Sequence, residues 1–168
     1  MENENSSLYA FRKFGDTVLR AAYACCGCYA EAEDIAQDVF LLLHTKPVAF
    51  ADDEHLKAWL LRVTINKCKN LNRSFRISRT RSIDEEKAGI YNMDVTDVEV
   101  RELIKALPKK YSSVIYLHFY EGYTIKEIAE LLGKNQNTVS SLLQRGKEKL
   151  RLEISQINMT GGHNYEEN

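Results

Sequence analysis

The sequence lacks the long apolar segments that membrane insertion or secretion requires. No run of about 18 apolar residues occurs, so no segment is predicted to span a membrane. The N-terminal stretch MENENSSLYAF is polar and acidic, without the basic start and apolar centre of a signal peptide. We therefore expect a cytoplasmic protein that does not insert into membranes.

Motifs of enzymes and cofactor-binding proteins are also missing. No glycine-rich phosphate loop, no nucleophile beside a base and no pair of metal ligands at helical spacing can be placed. The sequence therefore disfavours an enzyme, and we expect no cofactor.

Cysteine is sparse: Cys25, Cys26 and Cys28 form one cluster, and Cys68 stands apart. A zinc site needs four ligands in paired spacing, and no second cluster of cysteine or histidine supplies them. We interpret the cysteines as small apolar residues that close a helix in a reducing compartment, and we predict no metal site. The sequence assigns the cluster no further role.

Signals for β-structure are absent, and the chain is predicted to be almost entirely helical. No alternating apolar and polar segment and no Asn-Gly or Asp-Gly hairpin signal occurs. The sequence predicts three helices, over residues 8–26, 30–46 and 53–75, the last capped by Asp52 or Asp53. Further helices are predicted up to Leu107 and, beyond it, from Pro108 to Tyr120.

Residues 76–94 interrupt this pattern with mixed charges and one glycine. A stretch of about twenty residues is too long for a connection inside one compact domain, so we interpret it as a linker. The expected fold is all-α, with two small helical domains joined by a flexible linker and a helix-turn-helix in the C-terminal domain. The predicted boundaries are 1–75 for the first domain, 76–94 for the linker, 95–155 for the second domain and 156–168 for a flexible tail.

The helix-turn-helix is predicted for residues 123–150. Thr124 and Glu127 have the spacing of a capping box, so a helix should begin there. Gly133 can take the positive φ that ends a helix, and residues 134–137 are predicted to form the turn. Apolar residues at helical spacing fill both helices: Ile125, Ile128, Ala129 and Leu132 in the first, then Val139, Leu143, Gly146 and Leu150 in the second. The polar residues left on the outside suit base edges and phosphates, as in DNA-binding modules.

Charge is segregated along the chain, although the net charge is only −1. Residues 57–81 contain eight basic residues and no acidic one, whereas residues 82–102 contain seven acidic and two basic residues. Affinity for a polyanion depends on the local patch rather than on the total charge. The distribution therefore favours a nucleic-acid partner.

The predicted third helix carries a basic face. Positions at spacings of three and four share that face: Arg62, Asn66, Lys69, Arg73 and Arg76. Its four cations repel one another, and a phosphate backbone would relieve the repulsion. The alternative is a basic face that is simply solvated.

The predicted second helix has an acidic side away from its apolar stripe. This side carries Asp34, Gln37, Asp38 and Leu41. From the residues alone it is either a protein-docking surface or an ordinary soluble one.

These features together resemble a bacterial sigma factor of the sigma-70 class, in the small two-domain extracytoplasmic-function (ECF) group. One long segment is similar to the second conserved domain of that family: ALPKKYSSVIYLHFYEGYTIKEIAELLGKNQNTVSSLLQRGKEKLR. In that domain LP opens one helix, EIA-x-x-L fills the next and TV-x-S-x-L starts the recognition helix. AEDIAQDVFLLLHTKP resembles the polymerase-binding helix. HLKAWLLRVTINKCKNLNRS resembles the family's W-L-x-x-I-A-x-N-x-x-x-D-x-x-R helix. The resemblance covers about 140 of the 168 residues, in family order.

The resemblance implies a protein that binds core RNA polymerase and directs promoter-specific transcription initiation. The first domain would bind polymerase through Asp34, Gln37, Asp38 and Leu41. It would hold and melt the minus-ten element through Arg62, Asn66, Lys69, Asn70, Arg73 and Arg76, while the loop Pro47–Glu54 receives a flipped base. The second domain would read the minus-thirty-five element through Thr124, Lys134, Gln136, Asn137, Thr138, Ser140, Ser141, Gln144, Arg145 and Lys147. The exposed polymerase- and DNA-binding faces would also be the target of an anti-sigma factor, a further candidate partner.

Four positions depart from the family pattern. Asn70 stands where aspartate is usual, Ser140 and Leu142 stand where basic residues are frequent, and Asn137 stands where glycine is frequent. These differences bear on sequence preference more than on function.

The main alternative is a stand-alone helix-turn-helix regulator that grips duplex DNA as a dimer without polymerase. It explains the C-terminal half but leaves the acidic second helix and the basic third helix without a role. A sigma-sequestering interaction protein is a third alternative, and it would not need base-reading amides. The sequence specifies neither the promoter, the inducing signal nor the regulated genes.

Overall fold

The structure is a computed structural model that describes residues 2–46, 48–77, 102 and 106–160. The regular elements in these ranges are all helical, which confirms the all-α prediction for this part of the chain. In chain order they are α1 (Glu2–Cys26), α2 (Tyr29–Thr45), α3 (Asp53–Ile77), α4 (Lys109–Ile115), a π-helix (Tyr116–Tyr120), α5 (Ile125–Leu132) and α6 (Gln136–Thr160). Most of the predicted linker and of the helix predicted before Leu107 lies outside the described residues. No helix of the described ranges is long and apolar enough to cross a membrane.

Helices α1, α2 and α3 form an N-terminal bundle, in which each helix packs against the other two. Gly27 ends α1 with a φ of 73°, so the chain can reverse directly into α2. Asp52 caps α3, because its carboxylate accepts a 2.8 Å hydrogen bond from the backbone nitrogen of His55. Val39 of α2 and Leu60 of α3 are almost completely buried and lie in the core of this bundle.

Helix α4, the π-helix, α5 and α6 form a C-terminal bundle. The helix predicted from Pro108 to Tyr120 is present, but its second half widens into a π-helix. The backbone nitrogen of Glu121 bonds to the carbonyl oxygen of Tyr116, five residues back, at 3.1 Å. The rings of Tyr116 and Tyr120 stack 5.3 Å apart across this wide turn. Gly122 then ends the element with a φ of 76°, as the sequence predicts.

The helix-turn-helix is present, with a shorter turn than predicted. The capping box is confirmed: Thr124 Oγ1 accepts from the backbone nitrogen of Glu127 at 3.3 Å, and Glu127 Oε2 accepts from the backbone nitrogen of Thr124 at 2.8 Å. Gly133 takes the left-handed conformation, with a φ of 63°. Helix α6 already begins at Gln136, so the turn does not extend to residue 137. The reason is that Asn135 Oδ1 accepts a 2.7 Å hydrogen bond from the backbone nitrogen of Thr138 and so caps the helix early.

Helix α6 is also longer than predicted. A flexible tail was expected from residue 156, but the helix continues through Thr160. No proline or glycine interrupts the sequence between Gly146 and Gly161, so no helix breaker stands before residue 161. The remaining tail, residues 161–168, lies outside the described residues.

The two bundles pack against each other rather than standing apart. Helix α1 contacts α4 and the π-helix, and α3 contacts α5. The buried apolar residues of both bundles form one continuous cluster, which includes Val18 and Leu61 on one side and Val114 and Ile128 on the other. The bundles therefore share a core in this structure.

Candidate nucleic-acid and polymerase interfaces

A basic stripe runs along the exposed side of α3. It consists of Arg62, Asn66, Lys69 and Arg73, all of them exposed and all on the side away from the core residue Leu60. Within the described part of the chain, Arg62, Asn66 and Arg73 have no hydrogen-bond or ion-pair partner. Arg62 and Arg73 therefore present cations that are free to bind phosphates, whereas Lys69 Nζ donates a hydrogen bond to the carbonyl oxygen of Leu132.

Two other predicted minus-ten residues flank this stripe. Asn70 is exposed but lies beside the stripe, because it follows Lys69 by a single position on the helix. Arg76 lies on the last turn of α3, and its side chain is outside the described part of the molecule.

The loop before α3 contains an aromatic cluster. The ring of Phe50 lies 5.7 Å from that of Trp59 and 5.5 Å from that of His55, with edge-to-face geometry in both pairs. His55 Nδ1 accepts a 3.3 Å hydrogen bond from the backbone nitrogen of Ala51, which ties the loop to α3. Trp59 is half-buried and packs against Phe50 and the apolar core. Pro47, the first residue of the predicted base-capture loop, lies outside the described residues.

Sequence reasoning missed His55 as part of this surface. His55 is exposed and lies on the same side of α3 as Arg62, seven residues and two helical turns away. It extends the basic stripe toward the loop. The helical spacing could have identified it, had the stripe been continued toward the N-terminus of α3.

The acidic side of α2 is exposed as predicted. Its four residues all face solvent: Asp34, Gln37, Asp38 and Leu41. Leu41 is 60% exposed although it is apolar. One member has a partner: Asp38 Oδ2 lies 3.3 Å from Lys67 Nζ of α3. The surface therefore combines acidic groups with one exposed leucine.

The predicted minus-thirty-five residues are all exposed, and most lie on α6. The outer face of α6, opposite the buried Val139, carries Asn137, Ser141, Gln144 and Arg145. Around this outer face, exposed positions complete the predicted set: Lys134, Gln136, Thr138, Ser140 and Lys147. The amide and hydroxyl groups of the outer face can donate to and accept from base edges in a major groove.

Thr124, in contrast, uses its hydroxyl locally. The hydroxyl accepts from the backbone nitrogen of Glu127 and donates to Glu127 Oε2 at 2.8 Å. Hydrogen bonds from the backbone nitrogen and the hydroxyl of Thr124 hold the pKa of Glu127 below its usual value. Thr124 therefore fixes the start of α5, and both its hydroxyl and its backbone nitrogen are engaged within the capping box.

Glu148 is an acidic residue on the outer face of α6. It is exposed and lies one turn after Gln144, so it shares that face. A carboxylate there repels phosphates, and it can accept a hydrogen bond from the amino group of a cytosine. Sequence reasoning overlooked it because only groups favourable to DNA were collected.

The cysteines do not gather into a metal site within the described residues. Cys26 and Cys68 are buried, whereas Cys25 and Cys28 are partly exposed. Burial raises the pKa of Cys26 to about 12, so this thiol stays protonated.

Comparison with known proteins accounts for both bundles. Residues 10–76 match the family described as sigma-70 region 2, and residues 97–150 match the one described as sigma-70, region 4. The first match includes the acidic side of α2 and the basic stripe of α3, and the second includes the outer face of α6. The chain belongs to the sigma-70 family.

Similar proteins include sigma factors described as ECF and others described only as RNA polymerase sigma factors. The ECF RNA polymerase sigma factor SigW of Bacillus subtilis is 26% identical over 163 residues, which covers 86% of this chain and 86% of SigW. The RNA polymerase sigma factor SigZ of the same organism is 28% identical over 127 residues, covering 71% and 70% of the two chains. The sequence-based resemblance to this family is confirmed.

Solved structures show the same fold. The sigma factor RpoE in complex with the anti-sigma factor NepR, from Bartonella quintana, superposes with a TM-score of 0.65 at 19% identity, over 88% of this chain and 95% of that chain. CnrH in complex with the cytosolic domain of CnrY superposes with a TM-score of 0.61 at 22% identity, over 90% and 89%. At these identities the comparison concerns the fold.

Proposed function

We propose that this protein binds core RNA polymerase and directs promoter-specific transcription initiation. The observation that carries the proposal is the presence, in family order on one chain, of a region 2 match and a region 4 match with their predicted binding faces exposed. Such a protein is a transcription initiation factor that acts in the cytoplasm, where the polymerase is, and is not itself an enzyme. Residues 1–75 and 95–155 are its proposed functional domains.

The proposed polymerase contact is the acidic side of α2. Leu41 supplies an exposed apolar group, and Asp34, Gln37 and Asp38 supply polar groups around it. Interfaces combine an apolar centre with a polar rim in this way. The SigW and SigZ relatives are named for RNA polymerase, which supports the choice of partner.

The proposed minus-ten contact is the basic stripe of α3 together with the loop before it. Arg62 and Arg73 lie about 16 Å apart along α3, so each can hold a different phosphate, and Asn66 between them can read a base edge. The loop containing Phe50 is proposed to receive a base flipped from the melted strand. Capture of that base offsets the few kcal/mol that unpairing costs.

The proposed minus-thirty-five contact is the outer face of α6. Its uncharged members, Asn137, Ser141 and Gln144, suit sequence readout, and Arg145 suits a phosphate. Since Ser140 replaces a frequent basic residue, phosphate contact on this side is weaker than usual in the family. An anti-sigma factor is a further proposed partner, because the structures of RpoE and CnrH are complexes with such regulators.

A transcription assay tests this proposal. Core polymerase with the purified chain should give specific transcripts from a genomic template library, and core polymerase alone should not. The chain should also co-purify with core polymerase. The stand-alone regulator would instead give a tight, specific footprint on duplex DNA without polymerase, and it would not co-purify.

A further inference from the structure

Two thiols lie side by side where α1 packs against α3 inside the N-terminal bundle. The thiol of Cys68, on α3, hydrogen-bonds to the side chain of Cys25, near the end of α1. The sulfur of Cys68 also lies 3.8 Å from the carbonyl oxygen of Ala22, one turn before Cys25. One turn further along α3, Asn72 Nδ2 donates a 3.4 Å hydrogen bond to the carbonyl oxygen of Cys25. Two consecutive turns of α3 therefore grip the last turns of α1 and keep the two sulfurs together.

The two thiols differ in their access to solvent. Cys25 is partly exposed, whereas Cys68 is only 1% exposed. The hydrogen bond with Cys25, together with burial, raises the pKa of Cys68 far above its usual value, so this thiol keeps its proton in the folded protein. A small oxidant from solvent therefore meets Cys25 first, with a second, protonated thiol directly behind it.

The other two cysteines are placed differently. Cys26 is buried, and its thiol donates a 3.2 Å hydrogen bond to the carbonyl oxygen of Cys28. Since burial raises the pKa of Cys26 to about 12, this thiol is a poor nucleophile. Cys28 stands just before α2 and is partly exposed, like Cys25. Cys28 is therefore the natural comparison for Cys25, because solvent reaches both residues.

We propose that a peroxide converts Cys25 and Cys68 into a disulfide bond that links α1 to α3. Cys25 reacts first: its thiol and one hydrogen peroxide give a sulfenic acid and one water, as the O–O bond breaks. The sulfur of Cys68 then attacks the sulfenic sulfur, and the S–S bond forms. The hydroxyl group of the sulfenic acid leaves as a second water with the proton of Cys68. The two thiols together lose two electrons, and the peroxide gains them.

The arrangement favours the second step over further oxidation of Cys25. The hydrogen bond already directs the proton of Cys68 toward the Cys25 sulfur, from which the hydroxyl group departs. The charge of Lys109 acts on Cys68 in the opposite direction to burial, so it stabilises the negative charge that develops on this sulfur. Because both sulfurs are held by packed helices, the attack is intramolecular and needs no search through space.

The disulfide would reinforce the bundle when peroxide is present. It would close a loop around residues 26–67, which include all of α2, and would restrict the unfolded chain accordingly. It would also fasten the turn of α3 that carries Lys69, a member of the basic stripe. Disulfides of a reducing compartment are usually transient, so the pair is expected to be reduced again once the peroxide is consumed. The inference does not depend on the function proposed above.

Peptide mapping of the full chain tests the proposed bond. The reduced protein is treated with one equivalent of hydrogen peroxide, unfolded in guanidinium chloride, alkylated with iodoacetamide and analysed by mass spectrometry without reduction. The chain should lose two hydrogen atoms, and two of its four cysteines should escape alkylation, joined as Cys25 with Cys68. Dithiothreitol should restore all four alkylation sites.

Three variants assign the bond to its residues. Cys25→Ser and Cys68→Ala should each abolish it. Cys28→Ser is the matched control, because it removes the other partly exposed thiol and should leave the bond intact. If Cys68→Ala lowers the helical circular dichroism signal, Cys25→Ser decides alone: it changes a partly exposed position, and Cys68 should then remain open to alkylation after peroxide treatment.

Thermal unfolding measures the consequence of the bond. The oxidised wild type should melt on the order of 10 °C above the reduced protein, and the shift should vanish in Cys25→Ser and persist in Cys28→Ser. Sulfinic acid at Cys25 with Cys68 still alkylated would overturn the inference. A bond between Cys25 and Cys28, a bond between two chains, or four intact thiols in excess peroxide would overturn it as well.

Discussion

The side-chain oxygen of Asn135 accepts a 2.7 Å hydrogen bond from the backbone nitrogen of Thr138. This bond satisfies one of the free N–H groups at the start of α6, the helix that carries the proposed base-reading residues. It also fixes the direction in which Gln136 and Asn137 leave the turn. Stability and recognition are therefore linked through one amide side chain.

Asn135→Ala should lower the free energy of unfolding by ~1 kcal/mol, because the helix loses its cap. Lys134→Ala is the control: Lys134 is the exposed neighbour that caps nothing, so its replacement should change stability by less than about 0.5 kcal/mol. Urea unfolding followed by circular dichroism measures both. Equal effects from the two variants would contradict the capping role.

Gly146→Ala should destabilise the protein, although alanine is the better helix former. An added Cβ would lie 3.0 Å from Ile115 Cγ1 and 3.3 Å from Tyr111 Cβ, and such overpacking costs about 1–3 kcal/mol. Gly15→Ala is the matched control in α1, where the nearest atoms belong to Phe11 at 3.8 Å. That substitution should stabilise the protein by up to about 1 kcal/mol. If the unfolding midpoints of both variants moved in the same direction, α4 and α6 would be able to shift apart enough to accept the added methyl group.

Stability should decrease in alkaline solution. Burial raises the pKa of Cys26 from its ordinary 9.0 to about 12, and burial with nearby carboxylates raises that of Tyr123 from 10.0 to about 12. The unfolded chain releases these protons first, so the stability they contribute is complete below about pH 9 and is lost as pH rises toward 12. Unfolding free energies measured from about pH 8 to about pH 11 should fall, and fall less steeply for Cys26→Ala. A flat wild-type profile would contradict the burial of these groups.

Helix positions and faces could be predicted from local sequence, and contacts between the bundles could not. Periodicity placed Ile128 and Val139 in the core and left Leu41 outside, since each helix buries only one stripe. The ion pair of Lys57 with Glu121 joins residues far apart in sequence, and no local pattern specifies how two helical bundles dock. The π-helix escaped prediction for a similar reason, because its wide turn depends on hydrogen bonds rather than on residue spacing. The binding roles of the exposed residues remain predictions.

Leu41→Arg should weaken binding to core polymerase without unfolding the N-terminal bundle, since Leu41 is 60% exposed. Leu152→Arg on α6 makes the same chemical change at a leucine that is 64% exposed, and it should bind polymerase like the wild type. Ile35→Arg should instead unfold the bundle, because it places an unpaired charge in the core. Affinity measured against core polymerase, with circular dichroism for folding, distinguishes the three. Unchanged affinity of a folded Leu41→Arg variant would remove α2 from the proposed interface.

The two DNA surfaces should control different steps. Gln144→Ala should change preference at one position of the minus-thirty-five element, since a lost base contact is worth ~1–3 kcal/mol. Arg73→Ala should weaken initiation at all promoters and flatten its salt dependence, because a phosphate contact is lost. Run-off transcription across promoter variants and salt concentrations measures both. A change at a single base pair from Arg73→Ala, with an unaltered salt slope, would contradict this division.

Trp59 is the only tryptophan of the chain, and its ring packs 5.7 Å from Phe50 in the loop that is proposed to hold a flipped base. The protein therefore contains an intrinsic optical probe at the point where strand separation is proposed to be captured. A base stacked in that loop would alter the emission of a single fluorophore, with no label added. Unfolding confined to α6 would leave the same emission nearly unchanged, so fluorescence and circular dichroism can follow events in the two halves of the protein separately.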